Sequence, residues 1–309
     1  MSQQKVNFKN SYIGNITMSA VINFPEGFNE NKKYPAIVVG HPTGGVKEQT
    51  AGIYAKKMAA KGFVTLAFDA SFQGESEGMP RHQENPNFRV ADVIAAVDYL
   101  TTLPYVDATQ IAGIGICASG GYVTAAAKQD HRIKALATVS GVDIGEMYHK
   151  GWNGQGGTVN ILETLTAANN QRTAEANGAA PVYLNWGGGE RNEAQGKEST
   201  DGYDYYRTPR AQHPNSTGEY FLTDLPGLMA FHAFDRIDTL LTQPLLIVAG
   251  SNALSKWNSD FLYENAASKT KELFVVDGAN HFDLYDVPTY VDQAIDRIST
   301  FFETTLKNN

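Results

Sequence analysis

The stretch QIAGIGICASGGYVTAA, residues 110–126, places a turn of small residues between an apolar run and an alanine-rich segment. Its middle is the sequence Gly115-Ile116-Cys117-Ala118-Ser119, followed by Gly120 and Gly121. A strand that turns sharply into a helix can carry a nucleophile at its crest. Small residues on either side let that residue take a strained backbone with its side chain exposed, in the pattern Gly-x-Nu-x-Gly. In this frame Cys117, the only cysteine in the chain, occupies the nucleophile position and Ser119 stands where the last glycine is usual. The start of the following helix also favours a thiolate, because free N–H groups and the helix dipole point at it. Two other readings stand beside this one. In the first, Ser119 is the nucleophile, with Cys117 at the first glycine position and the strand overrunning. In the second, Cys117 is a small buried residue packed under the helix.

Working outward, the same strand-then-helix rhythm recurs. YPAIVVGH (34–41), FVTLAFD (63–69), QIAGIGI (110–116), IKALATVSGV (133–142), PLLIVAG (244–250) and KELFVVDGA (271–279) are continuous apolar runs, as expected of strands covered on both faces. Helical segments follow at 48–62, 88–103, 119–128, 259–268 and 287–305, and residues 4–24 alternate as two half-buried strands joined near YIGN. This order predicts an α/β fold: a doubly wound, mostly parallel sheet with antiparallel strands at its start. Residues 144–236 break the rhythm with a helix-like piece (158–176), a Gly/Asn-rich stretch (185–209) and many aromatics. A structureless loop of that length is improbable in a compact domain. The division expected is therefore a core of 1–143 and 237–309 with a mainly helical cap inserted at 144–236.

The 309 residues and 42% hydrophobic content suffice for one large domain with a full core. A net charge of −8 without a Lys/Arg cluster argues against nucleic acid and anionic membrane as partners. The single cysteine cannot form an intrachain disulfide, the N-terminus lacks a signal-peptide core, and no run is long enough to span a bilayer, so a cytoplasmic location is expected. No metal or organic cofactor is implied by any motif, and oligomeric state is silent.

Two further loops carry chemistry. GHPTGGVKE (40–48) follows a parallel-type strand, and its glycines let backbone N–H groups turn toward a developing oxyanion. The two donors would be Thr43 N–H, or Gly44 N–H, and Ala118 N–H. His41 there reads as a packing residue. DGANHFDLYD (277–286) puts His281 in a small-residue turn after the last strand, where a general base reaches a neighbouring elbow. The histidines at 82, 131, 149, 213 and 232 fall on helices, connections or the insertion.

Together with LAFDASFQGESEG (66–78), these elements resemble an α/β-hydrolase over essentially the whole chain. GICASGG looks like the cysteine elbow of dienelactone-hydrolase-like members. The insertion and the HPTGG loop look more like bacterial uncharacterised hydrolases and fungal polyketide acyl transferases. Such enzymes usually carry an Asp just past the strand 244–250, but this chain has Gly250-Ser251-Asn252-Ala253. The acid candidates are Asp143, after the strand 133–142, and Asp260, which reads equally as a helix N-cap. A Cys–His pair oriented by something else is the third possibility. Asp283 and Asp286 lie too close to His281 to aim at its far nitrogen, and Asp286 looks like another N-cap.

The activity expected is acyl transfer through a covalent Cys117 intermediate with His281 as base, hydrolysing a small-molecule ester, lactone or thioester. An acyl or polyketide transferase of the same fold is the first alternative. A non-catalytic binding protein that kept the fold is the second.

Overall fold

The computed structural model describes residues 2–157, 159–186 and 190–308. Thr158 and residues 187–189, which belong to the two insertion segments read from the sequence, lie outside the described residues.

The chain opens with β1 (Gln3–Asn10) and β2 (Ile16–Asn23), then β3 (Tyr34–Gly40), α1 (Thr50–Ala60), β4 (Val64–Phe68), α2 (Pro86–Thr102), β5 (Val106–Ile116), α3 (Ala118–Ala127) and β6 (Ile133–Val139). The insertion holds α4 (Ile144–Lys150), α5 (Ile161–Ala176), β7 (Tyr183–Asn185), α6 (Lys197–Arg207), β8 (Glu219–Phe221) and α7 (Leu225–Ala230). After α8 (Ile237–Leu240) come β9 (Leu245–Gly250), α9 (Lys256–Asn265), β10 (Lys271–Val276), α10 (Asp283–Asp286) and α11 (Pro288–Thr305).

Eight strands form one sheet in the order β1-β2-β4-β3-β5-β6-β9-β10. β2 runs antiparallel to β1 and β4, and every other pairing is parallel. The central strands are apolar on both faces because helices cover both. On one side α2, α3 and α9 bury Val93, Val97, Tyr122, Val123 and Leu262. On the other, α1 and α11 bury Tyr54, Met58, Ile295 and Phe302. This is the α/β-hydrolase architecture, and the strand and helix order expected from the sequence is the one observed.

The insertion is helical apart from the two-stranded β7–β8 ribbon, whose three-residue strands carry too little alternation to be read from sequence. It does not form a separate core. Leu225, Leu228 and Met229 of α7 join the core on the α2/α3 side, and Tyr205 of α6 joins the core on the α1/α11 side.

Two boundaries differ from the sequence reading. α9 starts at Lys256, so Asp260 lies inside the helix and pairs with Lys256 at 2.5 Å instead of capping it. Val287, not Asp286, is the cap residue of α11, and Asp286 pairs with Arg210 of the insertion. Asp143, by contrast, is a true N-cap: its Oδ1 accepts from Gly145 N and Glu146 N at the start of α4.

Packing at the β5–α3 turn explains its small residues. A Cβ on Gly115 would sit 2.1 Å from the Ser119 carbonyl oxygen, and one on Gly120 would sit 2.5 Å from Gly141 Cα. Both obstacles are backbone, which cannot swing aside. We expect Gly115→Ala to cost at least the ~1–3 kcal/mol typical of overpacking and to lower Tm by several degrees. Gly227→Ala in α7, where a Cβ meets nothing within 4 Å, should leave Tm unchanged or raise it. Thermal melts of the two variants check this contrast.

Candidate active site

At the end of β5 the backbone of Cys117 is held at φ 55°, ψ −124°, a conformation costing about 1–3 kcal/mol for a residue with a side chain. Three backbone hydrogen bonds offset it: Cys117 N–H donates to Val139 O (3.0 Å), while Cys117 O accepts from Gly120 N (2.8 Å) and Val142 N (3.0 Å). Each contributes about 1 kcal/mol. The thiol therefore stands half-buried at the crest, with Ala118 N–H directed at it.

Ser119 is turned the other way. Its Oγ is buried and donates to His41 O at 2.6 Å, and Arg89 reaches both His41 O (2.7 Å) and Ser119 Oγ (3.3 Å). Arg89 is in turn paired with buried Glu84 (3.3 Å), which accepts from Tyr122 OH (3.2 Å). This network ties the loop after β3 to the elbow helix. His41 belongs to it: one ring nitrogen lies 2.7 Å from Pro42 O and the other accepts from Ala70 N at 3.0 Å. Burial, helped by the Arg89 charge, holds His41 well below its ordinary pKa and therefore neutral. Thr43, two residues on, is buried at the mouth of the same loop, where Gly44 takes φ +72°.

His281 follows β10 and is fully buried. Its Nδ1 lies 2.6 Å from Ser255 Oγ and its Nε2 3.1 Å from the Tyr285 hydroxyl. The Tyr285 hydroxyl also faces the Cys117 thiol and favours its ionised form, and the Tyr206 hydroxyl approaches that of Tyr285 from α6. Cys117 and His281 are thus joined through a phenol. Neither acid candidate lies on the ring. Asp143 gives its other oxygen to Phe234 N at 3.0 Å, and Asp260 is spent on Lys256. The residue on Nδ1 is a serine from the loop after β9, the place where an Asp was sought.

Burial sets the ionisation. It pushes the Cys117 thiol up to about 11, against the opposing effects of Tyr285, Ala118 N–H and Arg89. It also holds His281 down to about 3. The helix N-terminus, expected from sequence to favour the thiolate, loses to desolvation. The resting pair is thiol and neutral imidazole.

Sequence reading missed Ser255, Tyr285 and Glu198, and placed Tyr206 only among the insertion's specificity aromatics. Buried Glu198 of α6 accepts from His281 N (2.8 Å), Leu254 N (3.1 Å) and Trp152 Nε1 (2.8 Å). Trp152 covers the imidazole, with ring centroids 4.7 Å apart. The insertion's other aromatics divide. Trp186 stacks on Tyr220 (4.4 Å) above Gly44, Tyr148 lies near Trp186, and Tyr183 is exposed. Tyr205 is buried, its hydroxyl accepting from Thr50 N. The only signal for Glu198 was an acidic residue in a polar helix, which ordinarily means a solvated face.

Among the described residues, Glu48, Asp69 and Glu75 bring carboxylate oxygens close enough to hold a metal ion. The Lys47 ammonium already sits among them at 2.7, 2.7 and 2.6 Å. Burial works against that charge, but Asp69 and its neighbours raise the Lys47 pKa and keep it. No helix among the described residues is long and apolar enough to cross a membrane.

Sheet order, elbow and histidine loop define an α/β-hydrolase. The sequence matches the X-Pro dipeptidyl-peptidase (S15 family) over residues 14–282, and the chain belongs to that family. It is 48% identical over 306 residues to the uncharacterized protein YcjY of Escherichia coli strain K12, covering 99% of this chain and 100% of YcjY. The crystal structure of the hypothetical protein PA2218 from Pseudomonas aeruginosa superposes with a TM-score of 0.90 at 37% identity, over 98% of this chain and 94% of that one. A shorter match, 34% identical over 105 residues and about a third of each chain, is to the thiohydrolase aneE of Aspergillus aculeatus.

The neutral resting pair has a direct readout. Alkylation of Cys117 by iodoacetamide, followed by intact mass, should be slow at neutral pH and climb steadily as pH rises through 9 and 10, since only thiolate reacts. A rate already at its plateau near pH 6 would mean a thiolate–imidazolium pair.

Proposed function

We propose that this protein is an acyl hydrolase acting through a covalent thioester on Cys117, with a small-molecule thioester or activated ester as substrate. One observation carries the reading: at the strained crest of the elbow stands a thiol, linked through the Tyr285 hydroxyl to Nε2 of His281. The name of the A. aculeatus relative, a thiohydrolase, supports a thioester over an amide.

The chemistry follows from the neutral resting state. Sγ attacks the substrate carbonyl as the Tyr285 hydroxyl gives its proton to Nε2 and takes the thiol proton onto its oxygen. Nδ1–H remains on Ser255 Oγ, which fixes the tautomer. The carbonyl oxygen, now an oxyanion, receives Ala118 N–H and Thr43 N–H. Collapse expels the leaving thiol or alcohol, protonated by the imidazolium, and leaves an acyl-Cys117 thioester. Water, activated by the same histidine, then releases the acid. Because the thiol is not pre-ionised, His281 must act as a base in the chemical step rather than as a standing counter-ion.

The insertion acts as a cap in this scheme. Trp152 shields the imidazole from water, while Trp186 and Tyr148 stand over the Thr43–Gly44 loop, where the acyl group would lie. Substituting Trp186 should shift relative kcat/KM among acyl chains while small activated esters still turn over. Transfer to an alcohol in place of water is the alternative fate of the same intermediate, decided by which nucleophile the cap admits. Partition of the acyl-enzyme with added alcohol distinguishes the two.

The activity in the family's name, a dipeptidyl peptidase, would put the reaction on a peptide. The test is a panel of acyl thioesters, nitrophenyl esters and X-Pro amides with intact-mass detection. We expect an acyl adduct on Cys117 from thioesters or esters, none with Cys117→Ala, and at most weak turnover with Cys117→Ser, whose hydroxyl is far less acidic. Ser119→Ala should keep most of the activity. An adduct that survives Cys117→Ala and vanishes with Ser119→Ala overturns the assignment, and no adduct from any substrate favours a binding role.

A further inference from the structure

A hydrolase of this fold needs something to stabilise the imidazolium that forms when histidine takes the nucleophile's proton. In the triad this is the carboxylate bonded to Nδ1. Here Nδ1 meets Ser255, a neutral hydroxyl that orients the ring but brings no charge. The loop after β9, Gly250-Ser251-Asn252-Ala253, contains no carboxylate, and Asp143 and Asp260 are engaged elsewhere.

One buried carboxylate holds the backbone of both loops that carry the histidine and its serine partner. Glu198 Oε1 accepts the backbone N–H of His281 itself, and Oε2 accepts the N–H of Leu254, next to Ser255. The same Oε2 accepts the indole N–H of Trp152, whose ring covers the imidazole. All three partners are N–H donors, which favour the ionised carboxylate and oppose the upward pull of burial on the Glu198 pKa. Docking of α6 fixes its place: Asn280 Nδ2 donates to Asp201 at 2.5 Å, Arg210 reaches Phe282 O, and Gly202 leaves room for the Phe282 ring.

We propose that Glu198, delivered by the inserted cap, supplies the negative charge that the core lacks and so acts as the positioning carboxylate of the Cys117–His281 pair. It does so without touching the reacting atoms, by fixing the histidine and serine loops and by placing a charge beside the imidazolium in a water-poor site. This rests on the Cys117–His281 reading above. The charged and titratable groups around it are Asp201 and Tyr206 on α6, Tyr285 on α10, Cys117 at the elbow and Arg89 on α2, with the Arg210–Asp286 pair at the far end of α6. Asp201 is itself paired with Lys197. The Glu198 charge is felt at Cys117, where it opposes thiolate formation.

Glu198→Gln keeps the shape and removes the charge. In the full-length protein we expect kcat to fall by roughly ten- to a hundredfold, less than the ~10⁴ lost when a directly bonded triad carboxylate is amidated. KM should change little. The acid limb of kcat/KM should move to lower pH, because an imidazolium without its counter-charge is a stronger acid. The pH curve for Cys117 alkylation should also move to lower pH. A purely structural role would lower Tm and leave both curves in place, and that result, or an unchanged kcat, overturns the proposal. If Glu198→Gln does not fold, Glu198→Asp serves, with the charge drawn back by one methylene. Smaller shifts in the same directions are then expected, and unmoved curves overturn the idea. The alkylation curve needs no substrate, so it tests Glu198 even if acylation of Cys117 is never seen, which would be a failure of the functional reading alone.

Discussion

The backbone of Cys117, kept in the left-handed half of conformational space where β5 turns into α3, is the constraint on which the rest of the site depends. It survives because β6 and the first turn of α3 supply three hydrogen bonds to it and because Gly115, Gly120 and Gly141 let backbones pass without a Cβ between them. The same crowding sends Ser119 inward. Its hydroxyl is clamped on His41 O with Arg89 and Glu84 behind it, which ties the elbow helix to the Thr43 loop. Strain at one residue is thereby held by a network that also sets the distance between the thiol and the Thr43 loop.

A site this deeply enclosed reverses the usual expectation for a cysteine at a helix N-terminus. The dipole is worth at most a couple of kcal/mol, whereas taking a thiolate out of water costs more than that. Burial dominates at both partners: it keeps the thiol protonated and the imidazole neutral. Charge separation is then confined to the moment of reaction. Tyr285 between the two groups fits that arrangement, since a phenol can pass a proton without itself carrying charge.

The insertion is usefully compared with the core it interrupts. Its stretch 185–209 looks polar and Gly/Asn-rich, yet α6 buries Tyr205, pins the histidine loop through Glu198 and Asp201 with Arg210 just beyond it, and closes over the ring with the help of Trp152. A segment expected from sequence only as an inserted cap also holds the histidine loop in place.

The sequence by itself determined the sheet, its antiparallel start, the elbow and the histidine loop. Each is encoded locally: apolar runs of strand length, amphipathic or alanine-rich helices, and glycines where backbones must approach. It also showed 144–236 as a break in the strand–helix rhythm. It could not supply the partners of His281. Ser255, Tyr285 and Glu198 come from three separate elements, none with a motif, and they meet only because β9 and β10 are neighbours and α6 folds back onto the loop between β10 and α10. Asp143 and Asp260 were reasonable by position along the chain. Tertiary packing assigned one to a helix cap and the other to a surface ion pair, because a side chain's reach in space is decided by the helix it starts and the residues that crowd it. Ionisation followed the same rule: helix position is legible in a sequence, but the desolvation that outweighs it exists only once the chain has closed.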